Sequence, residues 1–303
     1  MQKADAIFNR HFLNSTESLA NGQTNVIIVL ILISETTHNT QEIYAEKRII
    51  MLANYHTHTK RCQHAKGEDR DYVEAAIQSG FQILGFSDHC PWPFPDGYVS
   101  GIRMKPSEMD GYFHSLESLR EEYKNDIHIF IGFEAEYDPA LAQKQQELFA
   151  DYPLDYLILG QHFLGTESDS IYTGAPTTDE AVLKRYVDLV CEGVETGRYL
   201  YVAHPDVINY TGSDEIYEKH MLRLCRLLKE KNIPVEINIL GFREHRHYPS
   251  DRFLNIAKKA GNSAILGVDA HAPEQLTNTS VFAKAQKLCE TYSLPLQTID
   301  DRL

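Results

Sequence analysis

The chain has 303 residues, 43% of them apolar and 24% charged, enough to bury a core and unlike a disordered protein. Lys+Arg 29 against Asp+Glu 43 leaves a formal charge of −14, which argues against a broad nucleic-acid surface unless bound cations reverse the sign locally. Five widely spaced cysteines with no C-x-x-C pair argue against a disulfide scaffold or a zinc ribbon and suit a reducing, cytoplasmic setting.

Residues 1–50 read as an N-terminal extension: a polar lead, the run NVIIVLILIS and a Thr/Asn/Gln-rich stretch, without helical periodicity. The apolar run Val26–Ile33 falls far short of the roughly 20 residues of a spanning helix and lies too far in for a signal peptide, so no membrane segment is expected. Two alternatives stand for this leader, an upstream-start artefact preceding Met51 and a genuine, poorly ordered extension. The organised domain is expected over residues 51–303.

From Met51 onward, short β-type runs alternate with longer helical patterns, as in β/α units around a parallel sheet or barrel. In chain order we expect strand Leu52–His56, helix Arg70–Ser79, strand Gln82–Ser87, helix Ser107–Lys124, strand His128–Phe133, helix Ala140–Ala150 and strand Asp155–Gly160. Helix Asp179–Thr196, strand Tyr199–His204, helix Asp214–Lys231, strand Pro234–Ile239, helix Ser250–Ala260, strand Ala264–Val268 and helix Val281–Tyr292 complete the series. The clearest helix follows Ser107, a candidate cap with Asp110 three residues on, and carries Tyr112, Phe113, Leu116, Leu119 and Tyr123 on one stripe. The Pro-rich CPWPFPDG after the second strand reads as a rim loop.

Residues able to bind a metal recur at the carboxyl ends of these strands, where parallel α/β architectures place their sites. His56 and His58 share one face of an extended segment because strand side chains alternate with period two, and His64 follows six residues later. The second strand ends in Asp88 and His89, the third in Glu134 and Glu136, the fourth in His162, the fifth in His204 and the seventh in Asp269 and His271. The sixth ends without a ligand, in EINILGFREHRH. A lone histidine beside a strand is more often a hydrogen-bonded core residue, but a whole set at one topological position is not explained that way. A mixed His/carboxylate shell suits Zn, Fe or Mn rather than Ca or Mg, and a set of this size serves two or three divalent ions. His11, His38, His114, His128 and His220 are expected to be solvated or structural. His245 and His247 could reach a substrate or lie in an exposed loop.

The order His-x-His, a third His, S-D-H, G-x-E, Q-H, A-H-P-D and D-A-H resembles the polymerase-and-histidinol-phosphatase (PHP) superfamily, and within it the histidinol-phosphate phosphatase branch, over roughly residues 51–303. The resemblance implies a distorted seven-stranded (β/α)7 barrel, in line with the seven expected strands, with a trinuclear metal site at the C-terminal rim. It implies that His56, His58, Glu134 and Asp269 hold one ion, that Glu134 bridges to a second held by His162 and His204, and that His64, His89 and His271 hold the third. The implied reaction is hydrolysis of L-histidinol phosphate, a step of histidine biosynthesis, by a metal-activated hydroxide. Nucleotide or phosphotyrosine phosphoesterases of the same superfamily are the alternative.

GFREHRHYP resembles the pattern in which an Arg follows E-x-N-x-x-G, which makes Arg243 the phosphate clamp, with Arg103 in SGIRMKPSEM a second candidate or a solvated loop residue and His245 a further contact. Asp88 is either a proton donor to the leaving group or the residue that orients His89. Trp92, Phe94 and Asp96 are candidate contacts for the substrate's imidazole and ammonium. The expected partner is a small phosphomonoester, with no nucleic acid and no membrane; oligomeric state is not readable.

Overall fold

The apolar runs between polar turns become parallel strands covered on both faces, which is why their burial is nearly continuous rather than alternating. A computed structural model describes residues 53–94, 97–297 and 299. The reading of residues 1–50, and that of Asp96, lies outside the described residues. The described residues fall within one compact unit, Arg48–Leu303.

Strands β1 (Ala53–Asn54), β2 (Ile83–His89), β3 (His128–Ala135) and β4 (Tyr156–Leu159) form a four-stranded parallel sheet in chain order. Strands β5 (Val235–Asn238) and β6 (Ala264–Gly267) form a second parallel pair. The sheet curls. Single bridges join Leu159 to Val202 and Val202 to Val235, and at the other end Thr57 bridges Ala270, with the His58 amide donating to Ala270 O at 2.8 Å. The fold is therefore an α/β fold with a curled parallel sheet, and six strands are found among the described residues.

The expected strand Tyr199–His204 is not a regular strand. Leu200 and Ala203 donate to Leu157 O and Leu159 O, but His204 turns to φ +29° before Pro205 and the ladder stops at one bridge residue. The strand expected over Pro234–Ile239 ends at Asn238, whose side chain accepts from Gly241 N at 2.8 Å and caps a short helix that the sequence did not suggest.

The helices follow their patterns closely: α1 (Asp69–Ser79), α2 (Met109–Glu122), α3 (Ala142–Phe149), α4 (Glu180–Glu195), α5 (Asp214–Glu230), α6 (Ile239–Arg243), α7 (Asp251–Ala260) and α8 (Thr279–Thr291). Asp179, Ser213 and Ser250 cap α4, α5 and α7 with their side chains. Ser107 does not cap α2; Pro106–Glu108 forms a 3-10 turn running into it, and Glu108 accepts from the Lys105 amide. Tyr112, Phe113, Leu116 and Leu119 are buried against the sheet as the stripe predicts. Among the described residues no helix is long and apolar enough to cross a membrane.

Candidate metal centre

His56 and His58 follow β1 on one extended segment and are both fully buried, their rings 5.2 Å apart. His56 Nδ1 donates to Glu236 Oε1 at 2.7 Å, which leaves Nε2 as the free lone pair, 3.5 Å from Asp269 Oδ1 and 3.6 Å from Glu134 Oε2. His58 Nε2 lies 3.0 Å from the same Asp269 oxygen and 3.6 Å from Glu134 Oε2.

Glu134 sits at the centre because of strand register: the last pair of the β2–β3 ladder is His89 with Glu134, so the two side chains share a face. His89 Nδ1 is 3.0 Å from Glu134 Oε2, while Oε1 faces His204 Nε2 at 2.7 Å and His162 Nε2 at 3.5 Å. Its two oxygens are thus divided between two groups of imidazoles. Space for them comes from Gly160, at the end of β4, where any Cβ would collide with the Glu134 carboxyl. Gly267 makes the same allowance for Glu236. His204 and Asp269 have φ of +29° and +53°, strained for residues other than glycine, a feature that concentrates at functional sites.

At the rim, His64 and His271 each turn Nδ1 to a backbone carbonyl, Cys62 O at 2.8 Å and Asp269 O at 3.1 Å. Their Nε2 atoms then face each other at 3.0 Å, two lone pairs that a shared cation would satisfy. All nine expected ligands converge.

The donor set fits metal ions. His56 Nε2, His58 Nε2 and both oxygens of Glu134 are buried without a hydrogen-bond partner, a costly arrangement unless a cation is the partner. Donor atoms of His56, His58 and Glu134, of His56, His204 and Asp269, and of His58, His89 and His271 lie within 4.8 Å of one another in each group. Against burial, His162, His89, His56 and His204 hold the Glu134 carboxyl well below its usual range, and His56 and His58 do the same for Asp269. Burial, joined by His58, pushes His271 down to about 3, so its lone pair is available for coordination. His56 goes the other way, to about 10, because Glu236, Asp269 and Glu134 outweigh its burial. The same negative charge attracts a divalent cation.

Several expected contacts differ. Asp88 is fully buried, accepts from Thr59 Oγ1 and lies 3.5 Å from His58 Nδ1, so it backs His58 rather than the His89 ring and does not face the cleft as a proton donor. Arg103 is only 3% exposed, with both edges of its guanidinium engaged by Glu136 and Glu167, which leaves no edge for phosphate. Trp92 is buried and Phe94 packs on the core, so neither lines the cleft. Arg243 closes α6 with Nη2 3.0 Å from Glu244 Oε1, and His245 is exposed; neither lines the cleft.

The cleft over the cluster, about 580 Å³, is lined instead by Lys66 and Arg246 as cations, Glu244 and Glu274 as anions, and Phe163, Tyr172 and Tyr248 as aromatics. Glu244 holds Arg243 through Oε1 and Arg246 through Oε2, at 2.7 Å to Nη2. Sequence reasoning missed Glu236, although a lone acid two residues before Asn238 in an apolar strand, on the same face, was the available signal. Cys62 was also missed; its thiol lies near His64 and His271, and burial pushes its pKa up.

A Deinococcus radiodurans protein named probable histidinol-phosphatase is 26% identical over 234 residues, covering 74% of this chain and 88% of that one. The Bacillus subtilis histidinol-phosphatase is 27% identical over 251 residues, covering 71% and 92%. The crystal structure of Lactococcus lactis histidinol phosphate phosphatase, complexed with zinc, L-histidinol and phosphate, superposes with a TM-score of 0.63 at 22% identity, covering 82% of this chain and 96% of that chain, and shares its fold. The PHP domain family matches residues 54–240, most of the described sheet and seven of the nine converging side chains. The chain belongs to the PHP family.

Proposed function

We propose that the protein is a metal-dependent histidinol-phosphatase that hydrolyses L-histidinol phosphate to L-histidinol and phosphate. The observation that carries this reading is the division of the Glu134 carboxylate between His204 and His162 on one side and His56, His58 and His89 on the other. Such a carboxylate is placed to bridge two cations. The relatives named histidinol-phosphatase support the choice of substrate.

Two or three ions, Zn, Fe or Mn, would be held by His56, His58, His64, His89, Glu134, His162, His204, Asp269 and His271. Bound there, they supply Lewis acidity toward water and phosphate oxygens. The fold carrying them is a distorted (β/α)7 barrel in which residues 199–204, between β4 and β5, stand for the fifth of seven strands, with the metal site at the C-terminal rim. The catalytic domain runs over residues 51–303. Five free cysteines support a cytoplasmic setting.

The chain's own groups bind and orient. Glu236 keeps the proton on His56 Nδ1, so that Nε2 points to the centre. Lys66 offers its ammonium to the phosphate, and Arg246, its Nε and Nη2 held by Glu244 and its Nη1 by the Tyr248 hydroxyl, adds a fixed positive charge to the cleft, with Glu244 tying Arg243 behind it. Glu274 offers a carboxylate to the substrate's ammonium, and Phe163 and Tyr172, with ring centroids 5.6 Å apart, offer apolar faces to its imidazole. A net charge of −14 is compatible with a phosphate substrate because the field at the site comes from these cations and the bound ions.

The test is phosphate release from histidinol phosphate, nucleoside monophosphates and phosphotyrosine by protein reconstituted with Mn, Zn or Fe. The expected result is the highest kcat/KM on histidinol phosphate. A preference for nucleotides or phosphotyrosine would overturn the substrate assignment, and inactivity on every ester with metal bound would overturn the enzyme assignment.

A further inference from the structure

We propose that Arg103 is a positioning residue that couples the metal ligand His162 to the aromatic hairpin forming one wall of the cleft. The inference rests on the phosphatase reading and deepens it by saying how the specificity wall is tied to the metal cluster.

Arg103 reaches in two directions. Its Nη1 and Nη2 donate to Glu136 Oε2 and Oε1 at 2.6 and 2.5 Å, a two-pronged pair that fixes the carboxylate plane. Glu136 Oε1 is in turn 3.4 Å from His162 Nδ1, the nitrogen opposite the one facing Glu134. A carboxylate on the far nitrogen of a metal-binding imidazole sets its ring orientation and basicity. Arg103 Nε donates the other way, to Glu167 Oε2 at 2.6 Å.

Glu167 lies in the loop of a hairpin that starts at His162 itself. Phe163 pairs antiparallel with Tyr172, and Thr173 N donates to His162 O at 2.8 Å. Ile171 and Tyr172 are 50% and 49% exposed, the Tyr172 ring on the cleft side. Glu167 is its tether, accepting from Ser100 Oγ at 2.9 Å and Tyr98 at 3.1 Å as well as from Arg103. The loop bearing Arg103 is itself anchored beside the cluster, since Gln63 Nε2 donates to Arg103 O at 2.8 Å and Met104 N to His89 O at 3.4 Å. One buried guanidinium therefore fixes both the ring of a metal ligand and the wall against which a substrate ring would pack. A buried ion pair is by itself weak evidence of a stabilising role, which leaves positioning as what the geometry favours.

The experiment compares Arg103→Lys, Glu136→Gln and Glu167→Gln with the full-length parent by metal titration against a chromophoric chelator, thermal unfolding, and kinetics on histidinol phosphate and on glycerol 3-phosphate, a ring-free monoester. Lysine keeps the charge but cannot make the fork. In Arg103→Lys the weakest-held ion should bind about 10- to 100-fold less tightly, and kcat/KM should fall further on histidinol phosphate than on glycerol 3-phosphate. Glu136→Gln should reproduce the metal defect, and it decides that arm if Arg103→Lys does not fold. Glu167→Gln should leave metal affinity intact and raise KM for histidinol phosphate about tenfold, as expected when only substrate binding is lost. Metal affinity at the parental value in Arg103→Lys or Glu136→Gln, whatever the change in Tm, would overturn the metal arm. An unchanged KM in Glu167→Gln would overturn the hairpin arm. If the parent hydrolyses neither ester, the phosphatase reading fails, while the metal titrations still decide the coupling of Arg103 to His162.

Discussion

Glu236 Oε1 and His56 Nδ1 meet at 2.7 Å from positions 180 residues apart, and the contact decides which imidazole nitrogen faces the centre. The carboxylate is also fully committed on its other oxygen, which accepts from His204 N at 2.8 Å and from Asn238 Nδ2 at 3.0 Å. Glu236→Gln would set an amide against those donors. We expect metal affinity about 10- to 100-fold weaker, with activity restored in part by excess metal. Chelator competition checks it; parental affinity would remove Glu236 from the centre.

Gly160→Ala tests the space reserved for Glu134. The added Cβ would meet the carboxyl itself, so the side chain must leave its position between the two imidazole groups. A displacement of this kind at a catalytic centre costs about 100-fold in kcat. Thermal unfolding should show a folded protein, and near-parental kcat would mean that Glu134 has another place to go.

Arg246→Ala should raise KM about tenfold or more, the loss expected for one charge-assisted contact to phosphate. Arg243→Ala should do less, because Arg243 reaches the cleft only through Glu244. Steady-state kinetics on both variants checks the order. The reverse order would return the clamp to Arg243.

Removing metal should destabilise as well as inactivate, since the buried lone pairs of His56, His58 and Glu134 lose their partners. An ion present at a hundred times its Kd contributes about 2.7 kcal/mol, so chelation should lower Tm by roughly 5–10 °C for a domain of this size. Calorimetry with and without chelator measures it, and an unchanged Tm would count against resident ions.

Acid sensitivity should come in part from Glu136. Burial would raise its pKa, but Arg103 and His162 bring it from 4.5 down to about 2. A folded value below the unfolded one means that its contribution is complete above pH 4.5 and is lost as pH falls toward 2. Glu136→Gln should therefore show a flatter stability profile than the parent over that window. Parallel profiles would contradict the sign.

Local signals were readable because they act over a few residues. The apolar stripes placed the helices capped by Asp179, Ser213 and Ser250 to within a few residues, and the His-x-His of residues 56–58 needs only the alternation of an extended chain to point both rings one way. Ser107 carried a cap signal, but Pro106 opens a 3-10 turn there and Ser107 makes no cap. Residues 199–204 carried the apolar run of a strand, yet His204 leaves the extended region to bring its ring to Glu134.

From sequence alone came the alternation of strands and helices and the convergence of side chains able to bind a metal, since both follow from periodicity and from which end of a parallel strand faces the rim. Tertiary structure alone decided what stands behind and around them: Glu236 behind His56, Asp88 behind His58, Arg103 locked between Glu136 and Glu167, and Arg246 in the cleft in place of Arg243. The reason is physical. A metal ligand is announced by its own chemistry and its place on a strand, whereas a supporting carboxylate or a paired arginine acquires its role only from a partner that folding brings across the sheet.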